Sequence, residues 1–375
     1  MEEMNKRKKK LVVFHPILAP YRVDFFNTLS KSYNMDFYMF KRNLSSQKFN
    51  YENITKQLLF SPRILDKYYN LLFLKLRKGI ISAIKSANPD IVFVSECGIE
   101  TIIVIIYKLL FHKKYKIISI IDDSYDMLKN NNQISLKHRY AEKVVIPYCN
   151  NIINVEPKVV AYFKERYNKG IYFPIIRDEN KLRNIYNKVL PISEEYIKTY
   201  NLHNKKVLLF VGRLVKVKNV SFVINVINKL KANNLCLVIV GNGNYENELK
   251  LQAKGNPNII FTGRLEGDAL YAWYNIAEFF ILPSTLEPFG AVTNEALIAG
   301  CFCFVSDKAG SNCLIRNGLN GFIFNPDDED YFIKLLKESL SNIMLRSYPL
   351  HLKKSKMIYD FSIFIQNLIS EIEKS

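Results

Sequence analysis

Short apolar runs alternate with segments of helical period through the second half of the chain. Runs that are apolar on both faces and bounded by turn residues predict strands of a parallel sheet covered on both sides. The predicted strands are Val207–Gly212, Leu235–Gly241, Asn258–Gly263, Phe279–Pro283, Cys301–Ser306 and Gly321–Pro326. The helices predicted between them are Val220–Ala232, Tyr245–Lys254, Asp268–Ala277 and Ala291–Gly300, with a short helix near Cys313.

The first half of the chain follows the same alternation less regularly. The predicted strands there are Leu11–Pro16, Met35–Phe40, Asp90–Glu96, Lys116–Asp122, Asn151–Val155 and Ile171–Pro174. Helices are predicted at Tyr21–Lys31 and at the strongly apolar Thr101–Phe111. Two successive sets of alternating strands and helices indicate two α/β domains.

A polar segment without a strand, Arg177–Tyr196, separates the two sets. We therefore expect an α/β fold of two facing Rossmann-like domains with parallel sheets. The predicted boundaries are 1–176 for the first domain, 177–204 for a linker and 205–350 for the second domain. Open α/β sheets bind ligands beyond the carboxyl ends of their strands, so functional residues are sought there.

Composition excludes several classes of protein. Apolar residues make up 49% of the 375 residues and charged residues 23%, which is the balance of a folded protein and excludes disorder, collagen and coiled coil. The longest apolar stretch, Thr101–Phe111, contains Lys108 and is about half the roughly 20 residues of a membrane-spanning helix. The basic start leads only into Leu11–Phe14 before His15 and Pro16, so no signal peptide is expected.

The six cysteines are too few and too scattered for a disulfide scaffold. Cys301 and Cys303 share one face of a predicted strand, and no matching zinc ligands lie near them in the sequence. We expect buried, reduced thiols, as in a cytoplasmic protein.

The net charge of +18 is concentrated in the first half of the chain. There are 30 basic and 17 acidic residues up to Asn180 (+13), and 23 basic and 18 acidic residues after it (+5). Such an excess indicates an anionic partner, either a nucleic acid or a phospholipid surface.

The most specific segment for chemistry is Glu287–Glu295, with the sequence EPFGAVTNE. It follows the carboxyl end of a predicted strand and begins a helix, whose N-terminus favours negative charge. Gly290 lets backbone N–H groups approach a ligand closely. Carboxylates eight residues apart along a helix lie about 12 Å apart, which matches the two ends of a nucleotide sugar.

Three further motifs follow other strands of the second half. In Gly212–Asn219, Arg213 ends a strand and Lys218 precedes a helix, so the two cations together could neutralise a diphosphate. Val240–Asn244 contains Gly241 and Gly243 in a Gly-x-Gly turn, and Phe261–Leu265 is a strand followed by another glycine turn.

In their order and spacing, these four motifs resemble the family 4 (group 1) glycosyltransferases of the bacterial surface-polysaccharide type, which have the GT-B fold. The resemblance covers about Lys205–Asn342 in detail and the first half only in general terms. It implies that residues 351–375 form a C-terminal helix that crosses back to the first domain, and Phe361–Lys374 has the amphipathic period of such a helix.

The resemblance also implies roles for individual residues. Glu295 should bind the ribose, Glu287 should contact the donor sugar, and Arg213 and Lys218 should stabilise the leaving diphosphate. The turn at Gly263–Leu265 should present backbone groups to the nucleobase. The complete set of donor-side residues is Glu287, Arg213 and Lys218 for catalysis and Glu295, Phe289, Gly290, Ala291, Gly212, Gly241, Gly243, Arg264 and Leu265 for binding.

The first domain is expected to bind the acceptor. Its first strand is followed by His15–Arg22, which lacks the glycines that the family often has in this loop. Without these glycines, the phosphate contact that this loop usually makes is not expected, and the loop is a candidate for binding the acceptor instead. The acceptor-side candidates are His15, Tyr21, Arg22 and Asp122. Asp122 and Asp123 together resemble a metal-binding pair, but the resemblance implies metal-independent transfer, so no metal and no cofactor is expected.

The expected activity is therefore retaining transfer of a hexose from a UDP- or GDP-sugar to a lipid-linked or surface-polysaccharide acceptor. A nucleotide-sugar epimerase of the same fold and a basic nucleic-acid-binding module are the alternatives, although nucleic acid does not account for paired glutamates. Basic and apolar residues mix at Leu71–Ile80 and Lys108–Lys116. These clusters predict peripheral binding to an anionic membrane surface at the inner face of the cell membrane.

Overall fold

Parallel strands form the core of both halves of the chain. The computed structural model describes residues 7–43, 49–71, 74–129 and 136–375. The chain divides into two units, one formed by the described residues up to Ile175 together with Ser362–Ser375, and the other by Ile176–Phe361. Each unit contains its own sheet and its own apolar core.

The first unit is built on a parallel sheet with the strand order β3-β2-β1-β6-β7-β8-β9. The central strands are apolar on both faces, which explains why residues 11–14 of β1 are all buried. A separate antiparallel hairpin, β4-β5, was not predicted. The strands are β1 Lys10–His15, β2 Asn34–Met39, β3 Arg63–Ile64, β4 Tyr68–Leu71, β5 Leu74–Arg77, β6 Ile91–Ser95, β7 Lys116–Ile121, β8 Asn151–Asn154 and β9 Ile171–Tyr172.

Helices connect these strands as parallel pairing requires. Before the first of them, a single 3₁₀ turn at Pro20–Arg22 follows the β1 loop. The helices are α1 Val23–Ser32, α2 Tyr51–Thr55, α3 Ile80–Ala87, α4 Ile99–Leu110, α5 Tyr125–Lys129, α6 Leu136–Val145 and α7 Pro157–Tyr167.

The second unit has a parallel sheet with the strand order β12-β11-β10-β13-β14-β15. All six strands predicted from the apolar runs are present. Their bounds are β10 Lys206–Val211, β11 Leu235–Val240, β12 Ile259–Gly263, β13 Phe279–Leu282, β14 Phe302–Ser306 and β15 Gly321–Phe324.

The segment expected to be a linker, 177–204, forms two helices of the second unit instead. Asp178 caps the first of them by accepting a hydrogen bond from the backbone N–H of Lys181. Both helices pack on the helix Asp268–Ile276. The helices of this unit are α8 Glu179–Lys188, α9 Leu190–Thr199, α10 Val220–Leu230, α11 Glu246–Gln252, α12 Asp268–Ile276, α13 Val292–Ile298 and α14 Glu329–Asn342, and the short helix near Cys313 is a 3₁₀ turn at Gly310–Leu314.

The last helix, α15 (Phe361–Lys374), returns the chain to the first unit, as expected from the resemblance. Its end is held by Glu373, which forms an ion pair with Lys9 and accepts a hydrogen bond from the Tyr33 hydroxyl at 3.0 Å. Lys116 Nζ donates to the Glu373 carbonyl at 2.8 Å. Residues 351–360 belong to the second unit, where the backbone N–H of Lys356 donates to Leu297.

Strand order locates the point in each sheet where a ligand site is expected. In the first unit, β2 and β3 lie on one side of β1, whereas β7, β8 and β9 lie on the opposite side, beyond β6. The direction in which successive strands are added to the sheet therefore reverses between the neighbours β1 and β6. The second unit has the same reversal between β10 and β13. In open α/β sheets the crevice beyond the carboxyl ends of such strands is the usual ligand site.

Across the described part of the chain, none of the helices combines the length and the apolar character needed to cross a bilayer.

Candidate functional site

The loops after β10 and β13 bring a cation and a carboxylate together. Lys218 ends a 3₁₀ turn that follows β10, and its Nζ forms an ion pair with Glu287 in the loop after β13. The side chains are only 14% and 12% exposed. Thr285 secures the two loops, because its backbone N–H donates to the Val217 carbonyl at 2.9 Å. Arg213, also predicted for this site, follows β10 and is exposed.

A neighbouring turn shapes the loop from Glu287 to Gly290. The backbone N–H of Gly310 donates to the Glu287 carbonyl at 3.2 Å, and that of Ser311 donates to the Phe289 carbonyl at 2.7 Å. Gly290 has a φ of 92°, and a Cβ at this position would lie 2.4 Å from Leu282 Cδ2. Since the Phe289 side chain is buried, the backbone of this segment, with Gly290 and Ala291, is what a ligand could contact.

Glu295 lies on α13 and is held by groups from three other elements. Its Oε2 accepts a hydrogen bond from the Tyr274 hydroxyl at 3.1 Å, and its Oε1 lies 3.7 Å from Arg177 Nη1. The Tyr186 hydroxyl donates to its backbone carbonyl at 2.8 Å. Burial raises the pKa of the Glu295 carboxyl, while Arg177 and the Tyr274 hydrogen bond act in the opposite direction. The carboxylate is therefore fixed in position.

The glycines after β10 and β11 are explained by close backbone packing. A Cβ on Gly241 would lie 1.8 Å from the Gly212 carbonyl oxygen, and one on Gly243 would lie 2.2 Å from the Leu214 carbonyl oxygen. The backbone N–H of Leu214 donates to Asn242 at 2.8 Å, which joins the two loops. Gly241 and Gly243 thus support the loop that carries Arg213, and their predicted contact with the donor stays a prediction.

The turn after β12 is set apart from these contacts. Arg264 is exposed and forms an ion pair with Glu266, its Nε lying 3.2 Å from Oε1. Leu265 is partly exposed, and Gly263 has a φ of 74°. The prediction that this turn presents backbone groups to a nucleobase remains a prediction.

The acceptor-side candidates lie in the first unit, at the carboxyl ends of β1 and β7. Arg22 is 2% exposed, and its Nη2 lies 2.5 Å from Asp122 Oδ1. His15 donates from Nδ1 to the Ile17 carbonyl at 2.5 Å. Burial, reinforced by Arg22, lowers the pKa of His15 to about 4, so the ring is neutral at pH 7. Tyr21 is partly exposed beside them.

Asp122 and Asp123, the residues considered as a metal-binding pair, directly follow β7. Within the described ranges, no three His, Cys, Asp or Glu side chains converge as a metal site. Asp122 is engaged by Arg22, and the helix that follows is capped by Ser124 and by Glu156, which accepts from the backbone N–H of Tyr125 at 2.8 Å. No disulfide joins the six cysteines, all of which the structure describes, and Cys313 is the most exposed of them.

Several residues of the site were not predicted. Arg177 lay in the presumed linker, and Tyr274 lay within a helix predicted only as a covering element. Ser311 braces the Glu287 loop and shares a hydrogen bond of 2.9 Å with the Thr293 hydroxyl. A signal for Arg177 did exist, because a cation with a polar helix start immediately after the apolar run 171–176 indicates a structured element rather than a linker.

Comparison with known proteins agrees with these motifs. Residues 193–350 match the family described as glycosyl transferases group 1. An uncharacterized glycosyltransferase of Methanocaldococcus jannaschii is 30% identical over 199 residues, 49% of this chain and 51% of that protein. An Escherichia coli UDP-Gal:alpha-D-GlcNAc-diphosphoundecaprenol alpha-1,3-galactosyltransferase is 31% identical over 175 residues, 43% of each chain. The chain thus spans about half the length of the curated relatives it matches.

Among solved structures, HepE of Anabaena in complex with UDP superposes with a TM-score of 0.75 at 14% identity, over 98% of this chain and 100% of that one. Similarity at this level establishes the fold, and it confirms the expected GT-B architecture of two α/β units with parallel sheets. The motifs around Lys218, Glu287 and Glu295 all lie within the matched region. Residues 193–350 of the chain are thus similar to the group 1 glycosyl transferases.

Proposed function

We propose that the chain is a retaining family 4 glycosyltransferase that moves a hexose from a UDP- or GDP-sugar to a lipid-linked or surface-polysaccharide acceptor. The observation that carries the proposal is the ion pair of Lys218 and Glu287 at the strand reversal of the second unit. A nearly buried cation beside a carboxylate suits a ligand in which a diphosphate adjoins a sugar.

Breaking the glycosyl–phosphate bond leaves negative charge on the departing diphosphate. The Lys218 ammonium has three N–H donors, and the pair with Glu287 leaves the others for phosphate oxygens. Arg213 offers a guanidinium from the end of β10, and the backbone of residues 289–291 offers amides at a helix start. Fixed cations and amides of this kind stabilise the leaving group without reorganising.

The Glu295 carboxylate is the proposed partner of the ribose hydroxyls. Tyr274 and Arg177 take up only part of the acceptor capacity of its two oxygens, so ribose hydroxyls can donate to the remainder. Glu295→Ala should chiefly raise the KM for donor, while Arg213→Ala should chiefly lower kcat. Transfer at the wild-type rate by both variants would show that the site is wrongly assigned.

The donor and the stereochemistry are tested together. UDP- and GDP-linked glucose, galactose and mannose are incubated with the full chain, and release of nucleotide is measured by chromatography. The anomeric proton coupling of the product then distinguishes retention from inversion. Conversion of the sugar nucleotide without any acceptor would instead indicate the epimerase alternative.

We propose further that transfer needs neither a metal nor a cofactor. The cations Lys218 and Arg213 already supply the charge that a metal would provide to the diphosphate. Activity should therefore persist in EDTA. Loss of transfer in chelator with rescue by Mg²⁺ or Mn²⁺ would contradict this and would direct attention to Asp122 and Asp123.

The acceptor proposal draws on a relative and on one surface of the first unit. The E. coli relative is named for transfer to a diphosphoundecaprenol-linked sugar, which is a lipid-linked acceptor. On α4, Ile106, Leu109 and Leu110 are 49%, 51% and 69% exposed and share one face at i, i+3 and i+4 spacing. Phe111, 60% exposed, continues this face, and these four residues are called the α4 patch.

Cations adjoin the α4 patch, since Lys113 and Lys114 follow it directly. Exposed apolar side chains beside lysines suit the interface of an anionic bilayer. We propose that the chain acts as a peripheral protein at the inner face of the cell membrane. The other predicted cluster does not contribute as expected, because Arg77 and Ile80 are buried, Arg77 pairing with Glu100. Residues 72–73 of that cluster lie outside the described residues.

A further inference from the structure

Polar side chains gather at the strand reversal of the first unit, and one of them, Glu96, has no role in the sections above. Glu96 directly follows β6, between the ends of its neighbours β1 and β7. The ends of those neighbours carry His15 and Asp122. Arg22 reaches the same place from the 3₁₀ turn after β1 through its pair with Asp122. A polar cluster at the reversal of an open sheet occupies the position of a ligand site.

Glu96 is held in a backbone conformation that disfavours it. Its φ is 58°, in the left-handed region that only glycine, asparagine and aspartate adopt readily. Its carbonyl accepts from the hydroxyls of Thr101 at 2.8 Å and Ser119 at 3.2 Å, both fully buried, and its N–H donates to Ile120 at 2.9 Å. Strain that is locked by three hydrogen bonds is typical of functional positions.

The Glu96 and Arg22 side chains keep hydrogen-bonding capacity that the described residues do not use. Glu96 Oε1 accepts from the backbone N–H of Asp122 at 3.3 Å, whereas the buried Oε2 finds no partner among the described residues. Arg22 is 2% exposed, and within that same set its Nε and Nη1 also lack a partner. Burial, with Asp123 and Asp122 nearby, raises the pKa of Glu96 well above its ordinary value, which favours the protonated form of the carboxyl.

The hydrogen-bond donors and acceptors of Arg22 and Glu96 that have no partner among the described residues indicate the chemistry of the ligand. Arg22 needs acceptors, and in its protonated form, which the raised pKa favours, the Glu96 carboxyl can both donate and accept. A phosphate has only acceptor oxygens at its ionised positions and would meet the charges of Asp122 and Asp123. An ammonium has only donors and would leave Arg22 unsatisfied. Hydroxyl groups donate and accept, so adjacent hydroxyls of an uncharged sugar satisfy both side chains.

We propose that Glu96 and Arg22, with Asp122, form a subsite that binds adjacent hydroxyls of the terminal sugar of the acceptor. The inference rests on the proposed function and deepens it. It adds Glu96 to the acceptor-side residues, and it specifies that the accepting group at this subsite belongs to an uncharged saccharide rather than to a phosphate.

The test uses the full chain and small probes in saturation-transfer NMR: methyl α-D-glucopyranoside, galactopyranoside and mannopyranoside, with inorganic phosphate and methylammonium as competitors. Glu96→Gly removes the carboxyl and suits the left-handed backbone, so this variant should fold with undiminished stability. Glycoside binding should weaken by about tenfold, the effect of losing one buried hydrogen bond. Glu96→Gln keeps both a donor and an acceptor and should retain most of the binding.

Two further variants complete the design. Arg22→Lys keeps the charge facing Asp122 but loses the planar donors, so it should also weaken glycoside binding. Glu142→Gln is the matched control, because Glu142 is a buried carboxyl of the same unit that accepts hydrogen bonds from Tyr162 at 3.3 Å and from Tyr167 at 3.1 Å. This variant should bind glycosides as the wild type does.

Three results would overturn the subsite: no glycoside binding by the wild type, equal binding by the wild type and Glu96→Gly, or displacement of the glycoside by phosphate or methylammonium. Binding of UDP and GDP is measured on the same samples. Failure of both nucleotides to bind the wild type would count against the proposed donor site and leave the glycoside result to be judged separately.

Discussion

Two buried ion pairs in this chain have different consequences. The Arg346 and Glu278 side chains are 1% and 2% exposed, and Arg346 also donates to the carbonyls of Leu202 and Lys205, so the pair holds the interior of the second unit together. Lys218 and Glu287 are slightly more exposed and come from loops 69 residues apart. An ion pair at the surface of a ligand site can exchange partners with a ligand, whereas a pair in the interior is not reached by one.

Replacing Lys218 by alanine should lower kcat about 10²- to 10³-fold, the usual effect of losing one group that stabilises developing charge. The KM for donor should change less, since the cation acts most strongly on the leaving diphosphate. Steady-state kinetics on the preferred sugar nucleotide measure both constants. Lys216→Ala is the matched control, because Lys216 is exposed on the same 3₁₀ turn. Equal effects of the two substitutions would assign the loss to the turn and not to Lys218.

Glu96 should also affect stability as a function of pH. Its pKa is raised in the folded protein, so between the ordinary value of 4.5 and the raised value the folded state holds a proton that the unfolded state releases. The stabilisation is complete below that window and is lost as the pH rises through it. Glu96→Gln removes this dependence. Urea unfolding of both proteins from pH 4 to pH 9 should therefore show the wild type losing stability relative to the variant as pH rises, and a parallel pair of curves would contradict the assignment.

At the scale of elements, the apolar runs predicted the strands of the second unit because each strand is buried on both faces. Helices α8 and α9 were missed, although Leu182, Tyr186, Ile197 and Val189 are buried at spacings close to the helical period. Their polar residues suggested a linker. The hairpin β4-β5 could not be predicted, since no turn signal of two residues marks it.

The residues of the candidate site also fall into those that could be predicted from the sequence and those that could not. Glu287, Glu295 and Lys218 follow strands whose ends could be predicted, so their placement could be inferred from the sequence. The contacts of Arg177 and Tyr274 with Glu295 depend on how α8 and α12 pack, and local patterns carry no information on such long-range contacts. The close packing at Gly241 could not be predicted for the same reason, because the carbonyl that a side chain there would meet is 29 residues earlier in the chain, at Gly212.

Gly241→Ala tests the packing explanation of the Gly-x-Gly turn. The new Cβ would lie 1.8 Å from a backbone oxygen, so the loops after β10 and β11 must separate, and overpacking of this kind destabilises by about 1–3 kcal/mol beyond the cost of a positive φ. Gly255→Ala is the control, because Gly255 has a φ of 83° but no atom within 4 Å of its Cβ. Thermal unfolding should show a clearly larger loss for Gly241→Ala. Equal losses would mean that backbone conformation alone requires glycine there.

At the scale of the whole molecule, charge and exposed apolar surface are both concentrated in the first unit. The chain up to Asn180 carries +13 of the net +18. The α4 patch is the place in that unit where consecutive large apolar side chains, residues 109–111, are all more than half exposed, among the described residues. Neither feature is needed for the chemistry assigned to the second unit. Together they are the basis of our proposal that the first unit meets a membrane-bound acceptor.

Liposome flotation provides the test of this assignment. Each cation near an anionic surface contributes about 1 kcal/mol, and each exposed leucine or phenylalanine that enters the interface adds apolar transfer free energy. The wild type should float with vesicles containing anionic phospholipid, less so as salt rises, and little with neutral vesicles. Leu110→Glu should abolish flotation, because it places a carboxylate in the middle of the α4 patch. Leu251→Glu is the matched control, since Leu251 is 71% exposed on α11 of the second unit, and it should float as the wild type does. Equal recovery of all three proteins, or recovery that ignores lipid charge, would contradict a membrane role for the α4 patch and leave the donor site untouched.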